Sequence, residues 1–170
     1  MTRFEAVIAA TVAAMAIGFS AVIHPAPILI FNASASVPIG FYRVQPVGTL
    51  HVADLVVVMS PAPLASFLAE RGYLPKGVPL MKRVLALPGQ AVCRSGRMVT
   101  VDGMVMGEAL DHDRRGRDLP VWQGCRVVAA GEVFLMNRRS GDSFDGRYFG
   151  PLPASTVIGR ATPIWTDPEP

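Results

Sequence analysis

Lysine is scarce in this chain: of its 16 basic residues, only Lys76 and Lys82 are not arginine. Histidine and cysteine are scarce too, with three and two in 170 residues. His24, His51 and His112 stand far apart, and Cys93 and Cys125 make no Cys-x-x-Cys pair, which argues against a four-ligand zinc site. No metal and no cofactor is expected. A strong charge imbalance is also missing. The formal charge of +3 is too small by itself to mark a nucleic-acid binder. The arginine groups Arg114, Arg115, Arg117 and Arg138, Arg139 read as solvated loops. No repeat or low-complexity tract is present. Neither is a G-x-S-x-G elbow, a G-x-G-x-x-G turn, a P-loop or an H-E-x-x-H helix.

Charge is absent altogether from Ala6 to Tyr42, counting histidine as neutral. Within that stretch Val7 to Ile23 is almost unbroken apolar sequence, about 26 Å long as a helix and near the lower limit for a bilayer span. Pro25 and Pro27 would end the helix. Arg3 precedes the run, so the positive-inside rule leaves the N-terminus in the cytoplasm and exports the chain beyond the helix. The expected organisation is a start and membrane anchor over 1–24 and an exported domain over 25–170. A cleavable signal peptide is the alternative, since Ala33-Ser34-Ala35 has the shape of a cleavage site; the product would then be soluble in the periplasm. Cys93 and Cys125 could pair in that compartment, and the spacing leaves the question open.

Beyond the anchor the chain reads as strands. His51–Met59, Arg83–Leu87, Met98–Val101 and Glu132–Met136 are β-branched and apolar. Pro88-Gly89, Ser95-Gly96, Asp102-Gly103, Gly141-Asp142 and Gly150-Pro151 punctuate them as turns. Ser60–Arg71 reads as one short helix stopped by Gly72. Gly107–Gly124 reads as a long loop or an excursion from the sheet. The expected fold class is mainly β: antiparallel and partly closed, with the N-terminal membrane helix and one short additional helix.

Three stretches carry chemistry. Lys82 lies where an apolar strand begins, between Leu80-Met81 and Arg83 to Leu87. Burial there would lower its pKa and yield the neutral amine that a general base needs, a state arginine does not reach. A strand-edge lysine with its head in solvent is the other reading. Ser34 and Ser36 precede Pro38 and Gly40, which would fix a turn. Ser36 could be a nucleophile and Ser34 an oxyanion donor, or both could be turn residues. Ser143-Phe144-Asp145-Gly146-Arg147-Tyr148 offers an ion pair, Asp145 with Arg147, and a hydroxyl on Ser143 for a buried amine. It also reads as a polar turn.

In order and in their place after a membrane segment, these stretches resemble the three boxes of the bacterial type I signal peptidase superfamily. Those boxes are a Ser-x-x-Pro-like motif, Lys-Arg-x-x-Gly-Leu-Pro-Gly and Ser-x-Asp-Ser-Arg-Tyr-x-Gly; here they read SASVPIGFY, KRVLALPGQ and SFDGRYFGP. Only Val37 separates Ser36 from Pro38, which is similar to the conjugative-transfer branch, the TraF-type peptidases. The resemblance implies a membrane-associated serine endopeptidase that matures a conjugative pilin precursor at the periplasmic face of the inner membrane. It implies acyl transfer that trims the precursor, with cyclisation open as a second outcome. It implies Ser36 as nucleophile, Lys82 as general base and Asp145 as third polar member. Ser34 and the Ser36 N–H would form the oxyanion hole, Ser143 would orient Lys82, and Arg147 would hold Asp145. Asp-Gly-Arg and Ala-Leu-Pro-Gly depart from the family's Asp-Ser-Arg and Gly-Leu-Pro-Gly. The expected partners are the pilin precursor and inner-membrane lipid, with no nucleic acid. A general signal peptidase and a non-catalytic membrane-anchored scaffold of a secretion apparatus are the rival readings.

Overall fold

The computed structural model describes residues 2–22 and 28–168. Helix α1 (Arg3–Val22) begins on a reciprocal cap. The Glu5 N–H donates to Thr2 Oγ1 at 3.3 Å, and the Thr2 N–H donates to Glu5 Oε2 at 2.8 Å. This occupies amides that a first turn leaves without partners, and the alanine-rich sequence beyond it propagates the helix. Among the described residues no helix is long and apolar enough to cross a membrane, so the spanning anchor expected over Val7–Ile23 is not confirmed. The expected stop at Pro25 and Pro27, and with it the division at His24, lies outside the described residues.

The strands, in chain order, are β1 (Leu29–Asn32), β2 (Gly40–Gln45), β3 (Leu55–Val58), β4 (Leu80–Ala86), β5 (Ala91–Ser95), β6 (Met98–Val101), β7 (Met104–Glu108), β8 (Gly124–Val127), β9 (Glu132–Leu135), β10 (Leu152–Pro153) and β11 (Val157–Thr166). Helix α2 (Ala62–Glu70) is the short helix expected from Ser60–Arg71. A single-turn helix, α3 (Gly146–Phe149), stands where a polar turn was the simpler expectation. The strands form a seven-stranded sheet, β1-β2-β11-β3-β4-β9-β10, and a four-stranded sheet, β7-β6-β5-β8; every pairing is antiparallel.

The position of β3 explains its unbroken valine run. Leu55 and Val57 pack into one core with Tyr42, Val44 and Met81, while Val56 and Val58 pack into another with Val84, Leu135 and Val157. A strand covered on both faces has no polar side to show. Its first expected residues, His51 to Asp54, instead form a turn in which Ala53 takes a positive φ. A third core joins Leu85, Ala86 and Phe134 of the larger sheet to Val92, Val99 and Val101 of the smaller one. The excursion expected over Gly107–Gly124 runs from the end of β7 to the start of β8 and holds one isolated bridge, His112 to Asp118.

Cys93 and Cys125 face each other across β5 and β8 and form a disulfide, which the spacing had left open. It closes a loop with a sequence separation of 32. A cross-link over such a loop typically contributes about 2–4 kcal/mol. Cys93→Ser/Cys125→Ser is expected to lose that much in urea unfolding; a loss below about 0.5 kcal/mol would show that the β5–β8 ladder holds without the bond.

Candidate active site

The paired serines lie in the hairpin loop between β1 and β2, whose last rung pairs Asn32 with Gly40. Gly40 was expected to fix a turn. It is instead the first residue of β2, at a φ of +150°, and a Cβ there would lie 2.2 Å from the Trp165 carbonyl oxygen. Its role is to let β11 come close. The loop is fixed from below. Val37 is buried in the core beside Tyr42, and the Tyr42 hydroxyl donates to the Pro38 carbonyl at 2.6 Å.

Asn32 fixes the loop from inside. Its Nδ2 donates to the carbonyls of Ser34, Val37 and Pro38 at 2.8, 3.0 and 3.0 Å. Its Oδ1 accepts from the Ser34 N–H at 3.2 Å and from Ser34 Oγ at 3.0 Å. Ser34 Oγ and Ser36 Oγ are 3.2 Å apart. With the Ser34 proton directed at Asn32, Ser36 is the donor between the two hydroxyls.

Lys82 is in the middle of β4 rather than at its entrance, paired in register with Val56 of β3. It is 4 % exposed, and its Nζ donates to Ser143 Oγ at 2.7 Å. Burial lowers its pKa from 10.5 to about 8; the charge of Asp145 opposes that shift, and that of Arg147 adds to it. The strand-edge reading with the head in solvent is therefore excluded.

Ser143 is carried by the loop that returns from β9 to α3. That loop wraps a buried ion pair. The Arg147 guanidinium meets the Asp145 carboxylate as a fork, Nε to Oδ1 at 2.9 Å and Nη2 to Oδ2 at 2.8 Å. Arg147 also donates to the carbonyls of Ser140 at 2.6 Å, Gly141 at 3.1 Å and Ser143 at 3.2 Å. Asp145 caps α3 by accepting from the Arg147 N–H. Gly146, where the family motif has serine, is packed so closely that a Cβ would lie 2.6 Å from the Leu135 carbonyl oxygen.

Ser34, Ser36, Lys82 and Ser143 line one cleft of about 1020 Å³, with apolar walls that include Ile30, Met59 and Leu68. Among the described residues no hydrogen bond joins Ser36 to Lys82. Ser36 also borders a second cleft, lined by Val52, Leu85, Asn137 and Arg138, so an extended chain could cross the hydroxyl from one cleft to the other. Among the described residues no cluster of His, Cys, Asp or Glu could hold a metal. Sequence reasoning missed Asn32 and Asn137, whose buried amides organise the loop and the strand. Asn32 could have been noticed as a polar residue closing an apolar strand.

Two alcohols and a buried amine with a lowered pKa, opening on one apolar cleft, are the chemical equipment for acyl transfer without metal or histidine. The chain belongs to the signal peptidase family, peptidase S26, whose sequence profile matches residues 1–166. Membership implies serine peptidase activity. Among its relatives, the conjugal transfer protein TraF of Agrobacterium fabrum is 38 % identical over 147 residues, 79 % of this chain and 81 % of that protein. The plasmid transfer protein TraF of Escherichia coli is 33 % identical over 144 residues, 79 % of this chain and 81 % of that protein. A signal peptidase I from Enterococcus faecalis superimposes with a TM-score of 0.42 at 19 % identity, covering 68 % of this chain and 99 % of that one.

Proposed function

We propose that this chain is a membrane-associated serine endopeptidase that matures a conjugative pilin precursor by acyl transfer, with Ser36 as nucleophile and Lys82 as general base. The observation that carries the assignment is Lys82: a buried amine with a pKa near 8, hydrogen-bonded to Ser143, in the cleft that Ser36 also lines. Ser36 Oγ attacks the scissile carbonyl while neutral Lys82 takes its proton. The tetrahedral oxyanion is met by the Ser36 N–H and by Ser34 Oγ, which turns from Asn32 to the new charge. Lys82 then returns the proton to the departing amine, leaving an ester on Ser36. Water attacking that ester releases an acid, whereas an amine of the same substrate closes an amide ring; both regenerate the Ser36 hydroxyl. Closing the ring requires the amine to be held near and water kept away. Ser143 touches only Lys82 Nζ and orients it, and the Asp145–Arg147 pair holds the loop that carries Ser143.

Conjugation enters through the TraF relatives and through the single residue between Ser36 and Pro38. The membrane enters through surface. Phe4, Val7, Val12 and Met15 of α1 are exposed. So are Leu29, Phe31, Phe41 and Trp165 on the neighbouring strands β1, β2 and β11, where Phe41 pairs in register with both Phe31 and Trp165. An apolar patch continuous across three strands supports a domain lying against inner-membrane lipid from the periplasmic side.

The test is co-expression with the pilin precursor from the same gene neighbourhood, read by intact mass. A trimmed product is expected from the wild type and not from Ser36→Ala; a mass lower by one water marks a ring. Processing that survives Ser36→Ala would favour the scaffold reading. Cleavage of general exported preproteins in preference to the precursor would favour a housekeeping signal peptidase.

A further inference from the structure

Residue Asn137 stands just past β9, where the chain leaves the larger sheet. The ladder between β4 and β9 pairs Val84 with Leu135, and its last main-chain bond runs from the Met136 N–H to the Arg83 carbonyl at 2.9 Å. One residue later the main chain has turned away, and the Asn137 N–H donates to Asp145 Oδ2 at 3.0 Å. The side chain of Asn137 stays behind. Its Oδ1 accepts from the Arg83 N–H at 2.9 Å and its Nδ2 donates to the Met81 carbonyl at 3.2 Å. These are the main-chain groups on either side of Lys82. The side-chain amide thus replaces a strand peptide, continuing the ladder past Lys82 while freeing the main chain to arch back with Ser143 and Asp145. Asn137 is 3 % exposed. Without its amide, a buried N–H and a buried carbonyl flanking Lys82 would lack these partners, and each such loss typically destabilises its surroundings.

We propose that Asn137 is a positioning residue for catalysis: its side-chain amide, as a stand-in peptide group, fixes the main chain under Lys82 at the point where its own main-chain N–H meets Asp145 and the loop that presents Ser143 to the amine begins. This rests on the assignment of Ser36 and Lys82 made above. Its amide is engaged by the strand although the residue borders the second cleft, so its loss acts on the placement of Lys82 and on the dryness of the amine more than on substrate affinity. A slackened strand admits water, and a better-solvated Lys82 moves back toward the ordinary lysine pKa.

The test uses the full-length chain and the pilin precursor, with rates followed by mass spectrometry from pH 6 to 10 and corrected for the folded fraction. Asn137→Ala is expected to lower kcat by about 10²-fold, the scale of a small misplacement of a reacting group. KM should stay within about threefold, and the acid limb of log kcat should move up by about one pH unit. Where Asn137→Ala yields no folded protein, Asn137→Ser decides: it keeps a polar side chain at this buried position, and it should show the same shift at reduced size. A folded variant with wild-type kcat and an unmoved limb, whatever its melting temperature, overturns the proposal. Ser36→Ala is run beside them. If it retains activity, the catalytic assignment itself has failed; if it is inactive while the Asn137 variants behave as wild type, only the positioning role has failed.

Discussion

Lys82→Met is expected to reduce precursor processing by at least about 10³-fold at every pH, the order seen when a member of a catalytic unit is removed. Methionine keeps much of the stem and loses the amine. Lys82→Arg is expected to be as inactive, because a guanidinium stays protonated and cannot accept the serine proton. In the wild type, log kcat/KM should rise with unit slope and level off above about pH 8, where the buried amine becomes neutral. The same substitution should stabilise the fold. The folded-state pKa is lowered from 10.5 to about 8, so between those values the unfolded chain binds the proton that the folded chain has released. Wild-type stability therefore rises with pH across that window, and below pH 8 the whole cost of burying the ammonium is present. The gap corresponds to about 3 kcal/mol. Leaving Ser143 without its donor takes back about 1 kcal/mol. At pH 7 Lys82→Met should then melt higher than the wild type by several degrees, and its stability should be flat from pH 8 to 10. An inactive variant with unchanged stability at pH 7 would mean that the amine is not desolvated.

That conflict between stability and function is also why Lys82 could be read from the sequence. A lysine inside an apolar strand, in a chain that otherwise uses arginine, is costly unless it is used. Ser34 and Ser36 as neighbouring hydroxyls, and Asp145 with Arg147 as an ion pair, were legible as well, because their side chains sit in short motifs whose order resembles a known family. The supporting amides were not. Asn32 and Asn137 act on main-chain groups, so their partners are positions rather than residue types, and no motif records them.

In the smaller sheet β6 was legible as Met98–Val101, but β5 and β8 were as hard to read as the amides, and so was β11 of the larger sheet. Strand β5 carries Arg94 beside Val92 on its buried face, which breaks the alternation expected of a half-buried strand. The arginine is tolerated because its Nε donates to the Gly96 carbonyl at 3.0 Å and its Nη1 to the Arg147 carbonyl at 2.7 Å. All four residues of β8 are exposed, so no periodicity marks it; the ladder to β5 and the Cys93–Cys125 bond define it. Strand β11 contains Pro163, which counts against a strand until the register shift between Pro163 and Trp165 places it at a bulge.

Arg147→Ala is the substitution expected to damage the fold most. Arg147 is 1 % exposed and Asp145 is fully buried, so removing the guanidinium leaves a carboxylate without its paired cation and with little water. Breaking a buried pair from one side typically costs about 3–5 kcal/mol. Here the loss extends to the carbonyls of Ser140, Gly141 and Ser143, which Arg147 gathers into one loop. For a chain of this size the melting temperature should fall by about 10 °C. Lysine should not rescue it, since a single ammonium cannot reproduce the fork on Asp145 and reach three carbonyls as well. The loop it releases is the one that presents Ser143 to Lys82. Folded Arg147→Lys is therefore expected to show a reduced kcat with little change in KM, as the amine loses its fixed partner. Calorimetry with rates measured well below the melting temperature separates the two effects. A drop of less than about 3 °C would place the weight of this loop on its aromatic contacts, Phe144 stacked on Tyr148 with ring centres 5.0 Å apart, rather than on the ion pair.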